Sequence, residues 1–437
     1  MLNWLNKISL KKSVIYFFIF IIFIFLIYKL TPYNIKRTIS VEIYDQLPLK
    51  YQAITKILVR DYYDIRNLKN DYNVNFLPWT QFVELDFKKN FFEINLKKSN
   101  NYFGKKNVNH PFFLEIIDDD VWIIDSEGNV NKINFNDITN NTTEKIKASN
   151  IKSNLNKKIK IIDTYVLDKK IYFSFTEYKN SCGNLNIIFA EINNESLNFQ
   201  NYYNSTECEK AIGGGKMQFF EHNNMNGLLL TTGIAINDRP SEKAQDDNSI
   251  YGKILFIDFK TKKVINFSKG HRFPQGLYVE KNLILSTEHG PRGGDEINKI
   301  IFNKNYGWPI SSYGETYASL RRNKELDYNK SHNDFDFEEP IFSFVPSIGI
   351  SEIIKLPNNF SNQWNNNFII ASLNARSLYR IKFDNNYNKI LFYEKIYIGQ
   401  RIRDIKYHDK ISAILLALED KGQLGILRKK LQKKNVN

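Results

Sequence analysis

The chain has 437 residues, 42% of them hydrophobic, enough to bury one large β domain or two smaller domains. The formal charge of +14 raises a nucleic-acid reading, but the lysines are dispersed and no basic stripe interleaves with aromatics, so nucleic acid is not expected as a partner. The 2 cysteines form no C-x-x-C or clustered Cys/His pattern, which argues against zinc.

Val14–Tyr28 is an unbroken apolar run bounded by Lys11, Lys12 and Lys29. Its length is near the lower limit for a spanning helix, and snorkelling lysines extend its reach at both ends. Lys7, Lys11 and Lys12 precede it, so the positive-inside rule keeps the first dozen residues cytoplasmic. The following KLTPYNIKR offers no A-x-A pattern for cleavage, so an uncleaved anchor is expected over residues 13–30. Residues 31–76 read as a linker or stalk. Within them, Ile54, Ile57, Leu58 and Tyr62 have helical spacing.

From about Leu77 the pattern changes to short apolar runs separated by Asn, Asp, Gly and Lys. The 33 Phe and 25 Tyr favour a pleated surface, and the abundant Asn can take turn positions where the 20 Gly are too few. A unit of turn, strand, polar break and strand recurs. It is clearest in DDDVWIIDSEGNVNKINF at Asp118–Phe135, then in DKKIYFSFTEY with NIIFAEI, and in NGLLLTTG with GKILFIDFKTKKV. KNLILSTEHG with DEINKIIF, NNFIIASLNARSLYRIKF and DKISAILLALEDKGQLGIL complete the series. These recurrences imply radial blades, because one blade cannot bury both faces alone. A β-sandwich of hairpins is the alternative, but its strands would not normally recur as six similar pairs. The expected architecture is therefore all-β, a six-bladed β-propeller over 77–430 with a basic tail at 431–437, preceded by one transmembrane helix and a short helical stalk. Cys182 and Cys208 read as one disulfide closing a loop of about 25 residues, worth roughly 3 kcal/mol by chain entropy, with two buried thiols as the alternative.

The stretch Gly270–Glu315 differs from the rest in its density of Gly, Pro, His, Arg and acids. In EHGPRGGDE the glycines let backbone carbonyls approach a ligand. Those oxygens with Asp295 or Glu296 make a plausible hard-cation site, since calcium takes six to eight oxygens. GHRFPQG, EHGPRGGDEIN and NYGWP together resemble the glucose/sorbosone dehydrogenase family, in particular the bacterial aldose sugar dehydrogenases that use pyrroloquinoline quinone (PQQ). VPSIGIS, NNNFIIASLNARSLYRIKFD and GQRIRDIKYHDKISAILLALED support the resemblance, which covers roughly Gly213–Leu427.

The resemblance implies that Arg272, Gln275, Asn374, Arg401 and Arg403 lie at quinone-binding positions, the family's lysine or polar group being Asn374 here. Guanidinium groups suit a planar tricarboxylate because they bind carboxylates bidentately. It implies calcium against the carbonyls of Gly290 and Pro291, and a further calcium site at Glu296 and Tyr306. Singly, each residue has a plainer reading, such as Arg401 and Arg403 pairing with Asp404 and Glu419. The departures matter as well. Where the family has a proton-accepting His, this chain has Ile212, and Phe273 stands where the family has Asn. His222, His271 and His289 are the candidate substitutes for the base, although a His beside a Gly-rich loop is more often structural.

The resemblance thus implies an enzyme, a membrane-anchored and periplasm-facing oxidoreductase of the bacterial inner membrane. It would oxidise a sugar or envelope saccharide hydroxyl by hydride transfer to PQQ, and pass electrons to a membrane quinone or cytochrome. The alternative, from Ile212, is a non-catalytic propeller that binds a sugar, an envelope polymer or a protein. A reporter fused at the C-terminus should be active only on the outer side of the membrane; activity in the cytoplasm would overturn this orientation.

Overall fold

The computed structural model describes residues 87–429, except 95–97, 100–107, 110, 141–147, 156–158, 180–181, 235–241 and 316–327. The apolar run Val14–Tyr28, the stalk and the basic tail lie outside the described residues. Among the described residues, no helix is long and apolar enough to cross a membrane.

Among the described residues, six sheets of four or five strands follow one another along the chain, and Lys98–Ser99 pairs with Val108–Asn109 in a separate two-stranded sheet. Blade 1 comprises Phe112–Ile117, Asp120–Asp125, Val130–Ile133 and Ser149–Ser153, with Ser196–Leu197 added in parallel at its edge. Blade 2 holds Ile159–Leu167, Lys170–Lys179, Cys182–Glu191 and Gln200–Glu209, and blade 3 holds Ile212–His222, Met225–Ile234, Lys253–Asp258 and Val264–Lys269. Pro274–Glu280, Leu283–Glu288, Asp295–Lys299 and Phe342–Phe344 make blade 4. Blade 5 is Ile350–Lys355, Phe368–Ser372, Ser377–Phe383 and Ile390–Tyr397. Blade 6 takes Ile402–His408, Ala413–Leu418 and Gln423–Lys429, and its outermost strand is Phe87–Glu93 from the opposite end of the domain. The first strand of each blade adjoins the first strands of its neighbours, which closes the ring. This is the six-bladed propeller expected from the repeats.

The turns explain how a chain poor in glycine makes so many hairpins. Asp118–Asp119, Asp168–Lys169 and Asn223–Asn224 join the first two strands of blades 1, 2 and 3, each pair with positive φ at both residues. That is the two-residue hairpin turn matching the twist of the strands, and Asn or Asp is the non-glycine residue that tolerates it best. Second strands are buried on both faces. In Ala413–Leu418, Ala413, Leu415 and Ala417 pack against blade 1, while Ile414, Leu416 and Leu418 pack against blade 5. The same two-residue alternation gives an apolar cluster at each interface between blades. Cys182 and Cys208 form a disulfide between the inner and outer members of adjacent strands in blade 2, with a Cα–Cα distance of 5.5 Å.

The axis of the ring is charged. Lys216 of blade 3 pairs with Asp163 of blade 2 at 2.7 Å and Glu352 of blade 5 at 2.5 Å, all three buried. Lys406 of blade 6 pairs with Glu115 of blade 1 at 3.2 Å, and Glu115 also accepts from Thr164 at 2.8 Å. The first strands of blades 2, 3, 5 and 6 shift register at this level. A register shift leaves backbone amides without ladder partners. The axial carboxylates accept from those amides: Met217 N on Asp163 at 3.0 Å, Ile353 N on Glu352 at 2.9 Å and Ile405 N on Asp404 at 2.8 Å. Asp404 also takes Leu114 N of blade 1 at 2.8 Å.

Burial raises the Glu115 carboxyl to about 7, Lys406 opposing and Asp404 adding to the rise. A carboxyl held above its unfolded value stabilises the fold fully at low pH, and that contribution is lost as pH rises from the ordinary carboxylate range through about 7. Urea unfolding at pH 5 and pH 8 should therefore show wild type losing on the order of 3 kcal/mol between the two, at most, through this group. Glu115→Gln should flatten that loss; a variant with the wild-type pH dependence would show that Glu115 does not titrate in this window.

Candidate active site

The first strands of all blades begin at one face of the ring, and the turns that carry the sequence motifs lie there. Gly270 opens the turn into blade 4 with φ +80°, and a Cβ on it would lie 2.2 Å from Asn305 Oδ1 and 2.6 Å from Gly307 N, so only glycine fits. The turn then presents His271, Arg272 and Phe273. One carboxylate, Glu288 at the end of the second strand, organises all three. It accepts from the amides of Arg272 and Phe273 (3.2 Å for Phe273) and from His271 Nδ1 at 3.1 Å.

Arg272 is 6% exposed; its Nη1 donates to the His289 carbonyl at 2.9 Å and its guanidinium lies 5.3 Å over the Trp308 ring. Its Nε has no hydrogen-bond partner. Gln275 accepts at Oε1 from Arg403 Nη1 across 3.3 Å, which joins blade 4 to blade 6 over the mouth. Arg403 Nε donates to Glu419 Oε1 at 2.5 Å and Arg401 Nε to Glu419 Oε2 at 3.0 Å. Burial alone would raise the Glu419 carboxyl, but Arg403 and Arg401 overcome it and hold it below the usual carboxylate range. The plain pairing of these arginines with Glu419 is therefore real, and it places both at the mouth. Asp404 is not their partner; it belongs to the axial network. Asn374 sits in the mouth-side turn of blade 5, its amide on the Ile348 carbonyl at 3.0 Å.

The three candidate bases separate cleanly. His222 ends the first strand of blade 3, at the face opposite its Ile212 end, and packs on Phe220. His271 is fully buried, stacks on Tyr306, and uses both ring nitrogens, Nδ1 on Glu288 and Nε2 on Ser268 Oγ at 2.8 Å. Neither is available to a substrate. His289 lies beside the mouth, 5.5 Å from the Phe273 ring, and its Nε2 is buried without a hydrogen-bond partner. Burial lowers its pKa to about 4, Arg272 and Arg403 push the same way, and Asp295 opposes. It is a neutral imidazole at pH 7.

Ile212 packs in the apolar cluster of blades 2 and 3, with its amide 3.5 Å from Tyr178 Oη. Beside it, the Phe273 ring fills the space over Gly213, where a Cβ would lie 1.9 Å from the ring. Phe273 thus presents an apolar surface on the blade 3 side, while Ile212 is buried between blades 2 and 3.

In the loop after Glu288, Gly290 is boxed in by the carbonyls of Gly293 and Gly294, since a Cβ on it would lie 2.2 Å from each oxygen. Its amide donates to Asp295 at 3.2 Å. Behind it, Glu288, Glu296 and Ser343 stand directly opposite one another on three adjacent strands. Burial, then Glu288, pushes Glu296 well above the usual carboxylate range. Buried Asn298 Oδ1, Ser343 Oγ and His332 Nδ1 have no hydrogen-bond partner. Two facing buried carboxylates with idle oxygens nearby suit a cation. Among the described residues, no three His, Cys, Asp or Glu side chains converge as a ready metal site, so carbonyls would have to contribute. The Tyr306 hydroxyl is already engaged, donating to the Lys299 carbonyl at 2.6 Å and accepting from Ile301 N at 2.9 Å, which leaves only its backbone for such a role.

The glucose/sorbosone dehydrogenase family matches residues 108–428. An aldose sugar dehydrogenase of Escherichia coli is 29% identical over 228 residues, 48% of this chain and 58% of that protein. The chain spans less than two thirds of the length of the curated relatives it matches. Its fold matches the crystal structure of the soluble aldose sugar dehydrogenase from Escherichia coli in the apo form, with a TM-score of 0.62 at 18% identity, over 79% of this chain and 100% of that one. It also matches the PQQ-bound aldose sugar dehydrogenase of Streptomyces coelicolor, with a TM-score of 0.55 at 16% identity, over 78% and 99%. The propeller and the motifs at its mouth agree with this match: the chain belongs to the glucose/sorbosone dehydrogenase family.

Proposed function

We propose that the protein is a quinone-dependent oxidoreductase acting on a sugar or envelope saccharide hydroxyl. It is held in the bacterial inner membrane by the N-terminal apolar run, with the propeller in the periplasm and a membrane quinone or cytochrome taking the electrons. The observation that carries the reading is the cationic mouth, where Arg272, Arg401 and Arg403 gather with Gln275 around an opening that holds a neutral histidine. An idle Arg272 Nε and a planar guanidinium pair fit the carboxylates of PQQ. The carbonyls of Gly290 and Pro291 would hold its calcium ion, and the Glu288–Glu296 face a second.

PQQ, when bound, supplies the ortho-quinone that accepts hydride from the sugar carbon. The protein's part is to orient it, exclude water and take the hydroxyl proton. We assign that proton to His289 Nε2, a buried nitrogen without a hydrogen-bond partner, which the substrate has to reach. Arg272 fixes the loop through the His289 carbonyl. The Phe273 ring over Gly213 favours a substrate face without hydroxyls on that side. Ile212 also supports a second reading, a propeller that binds a saccharide or protein without turning it over, since an apolar side chain fills the family's base position.

Purified protein with calcium should shift the absorption band of added PQQ and reduce a dye acceptor with aldoses; no shift would defeat the quinone reading. His289→Asn should lower kcat by roughly 10²- to 10⁴-fold while leaving the affinity for PQQ within a few fold. Unchanged turnover would remove His289 as the proton acceptor, and binding without any turnover in wild type would favour the second reading.

A further inference from the structure

Lys160 is the second residue of the first strand of blade 2, paired opposite Thr176 and half-buried. Its place at the mouth is fixed by the next residue, whose amide donates to the Ser126 carbonyl at 2.8 Å in the mouth-side turn of blade 1. From there its ammonium lies within electrostatic reach of Arg403 and Glu419, which belong to blade 6. Burial lowers the Lys160 pKa, Arg403 adds to this and Glu419 opposes.

Four of the cations at the mouth stand on alternate blades, while Arg376 in the mouth-side turn of blade 5 is paired with Asp420 at 3.5 Å. Arg272 stands on blade 4, Arg401 and Arg403 on blade 6, and Lys160 on blade 2. Glu419 offsets one charge of the blade 6 pair. A compact tricarboxylate lying on this opening has a cation on the blade 4 and blade 6 sides, and the blade 2 side has Lys160.

We infer that Lys160 holds a carboxylate of the bound quinone from the blade 2 side of the mouth, completing the cationic set of Arg272, Arg401 and Arg403. This inference rests on the quinone-binding reading above. No residue of the sequence motifs that mark the family supplies that contact, and Asn374 carries no charge to do so.

The test is PQQ titration of the full-length protein in the presence of calcium, followed by absorbance. Lys160→Met should weaken Kd by about tenfold or more, and Lys160→Arg should recover most of the loss, since a charge-assisted contact is at stake. Lys410→Met, on the far face where Lys410 pairs with Asp119 at 2.7 Å, should leave Kd unchanged. Against the PQQ trimethyl ester, which lacks the carboxylate charges, Lys160→Met and wild type should bind alike. Thermal unfolding checks that each variant folds, and a Lys160→Met protein that fails to fold passes the decision to Lys160→Gln in the same titration. Wild-type binding of PQQ with an unchanged Kd in the folded Lys160 variants would overturn the role of Lys160 and leave the quinone reading standing. An equal loss on the ester would overturn it as well, by assigning the effect to something other than a carboxylate. Absence of PQQ binding by wild type would overturn both.

Discussion

Charge on the axis governs how this ring is built. Glu115, Asp163, Glu352 and Asp404 lie buried at the centre with Lys216, and Lys406 joins them with its side chain 26% exposed. Such charges persist in a low-dielectric interior only when each finds a partner or a hydrogen bond. Lys216 reaches blades 2 and 5 through its ion pairs and lies 5.6 Å over the Phe113 ring of blade 1. Burial alone would push it toward the neutral form, but Asp163, Glu352 and Asp404 outweigh that and hold it charged. Because the same carboxylates cap amides freed by the register shifts, the charge network and the backbone geometry of the first strands depend on each other. Those strands in turn set where each mouth-side turn begins.

The mouth inherits its precision from that arrangement. Arg403 immediately precedes Asp404 in the first strand of blade 6 and Arg401 stands just before that strand, while Gln275 lies in the first strand of blade 4 beside its own register shift. Glu288 and Glu419, at the ends of second strands, then pull the cationic side chains into place. Each arginine is held by a carboxylate or a carbonyl, so the set is formed before any ligand arrives, which reduces the ordering cost of binding.

How much of this was legible in the sequence follows from burial. The six recurring units are the second and third strands of the six blades, the strands buried on both faces and bounded by hairpin turns such as Asn223–Asn224. First strands were harder to see, because Glu115, Asp163 and Lys216 interrupt apolar runs to face the axis. The motif stretch at Gly270–Glu315 was readable because backbone turns there demand glycine, as at Gly270 and Gly290. Pairings across the ring were not. The pairing of Arg401 and Arg403 with Glu419 stood only as the plainer alternative, the burial of His332 and His408 left no mark in the sequence, and Lys160 carried no local signal beyond a cation among isoleucines. Phe87–Glu93 lay next to nothing that foretold its partner, since only the closed ring brings it to Gln423–Lys429.

That last pairing has a kinetic meaning. Phe87 meets Lys429, so the earliest strand of the propeller waits for the latest before blade 6 exists. Contacts of such long sequence separation are slow to form, because loop closure is unfavourable until the whole chain is present. During synthesis the other blades can pair locally, while blades 5 and 1 each keep a naked apolar face toward the gap, and Gln423–Lys429 an unpaired edge. Those surfaces are open to wrong partners until the two ends meet. Lys88 stands directly opposite Arg428 in this seam, so like charges weaken the native pairing as well as any pairing of either strand with a copy of itself.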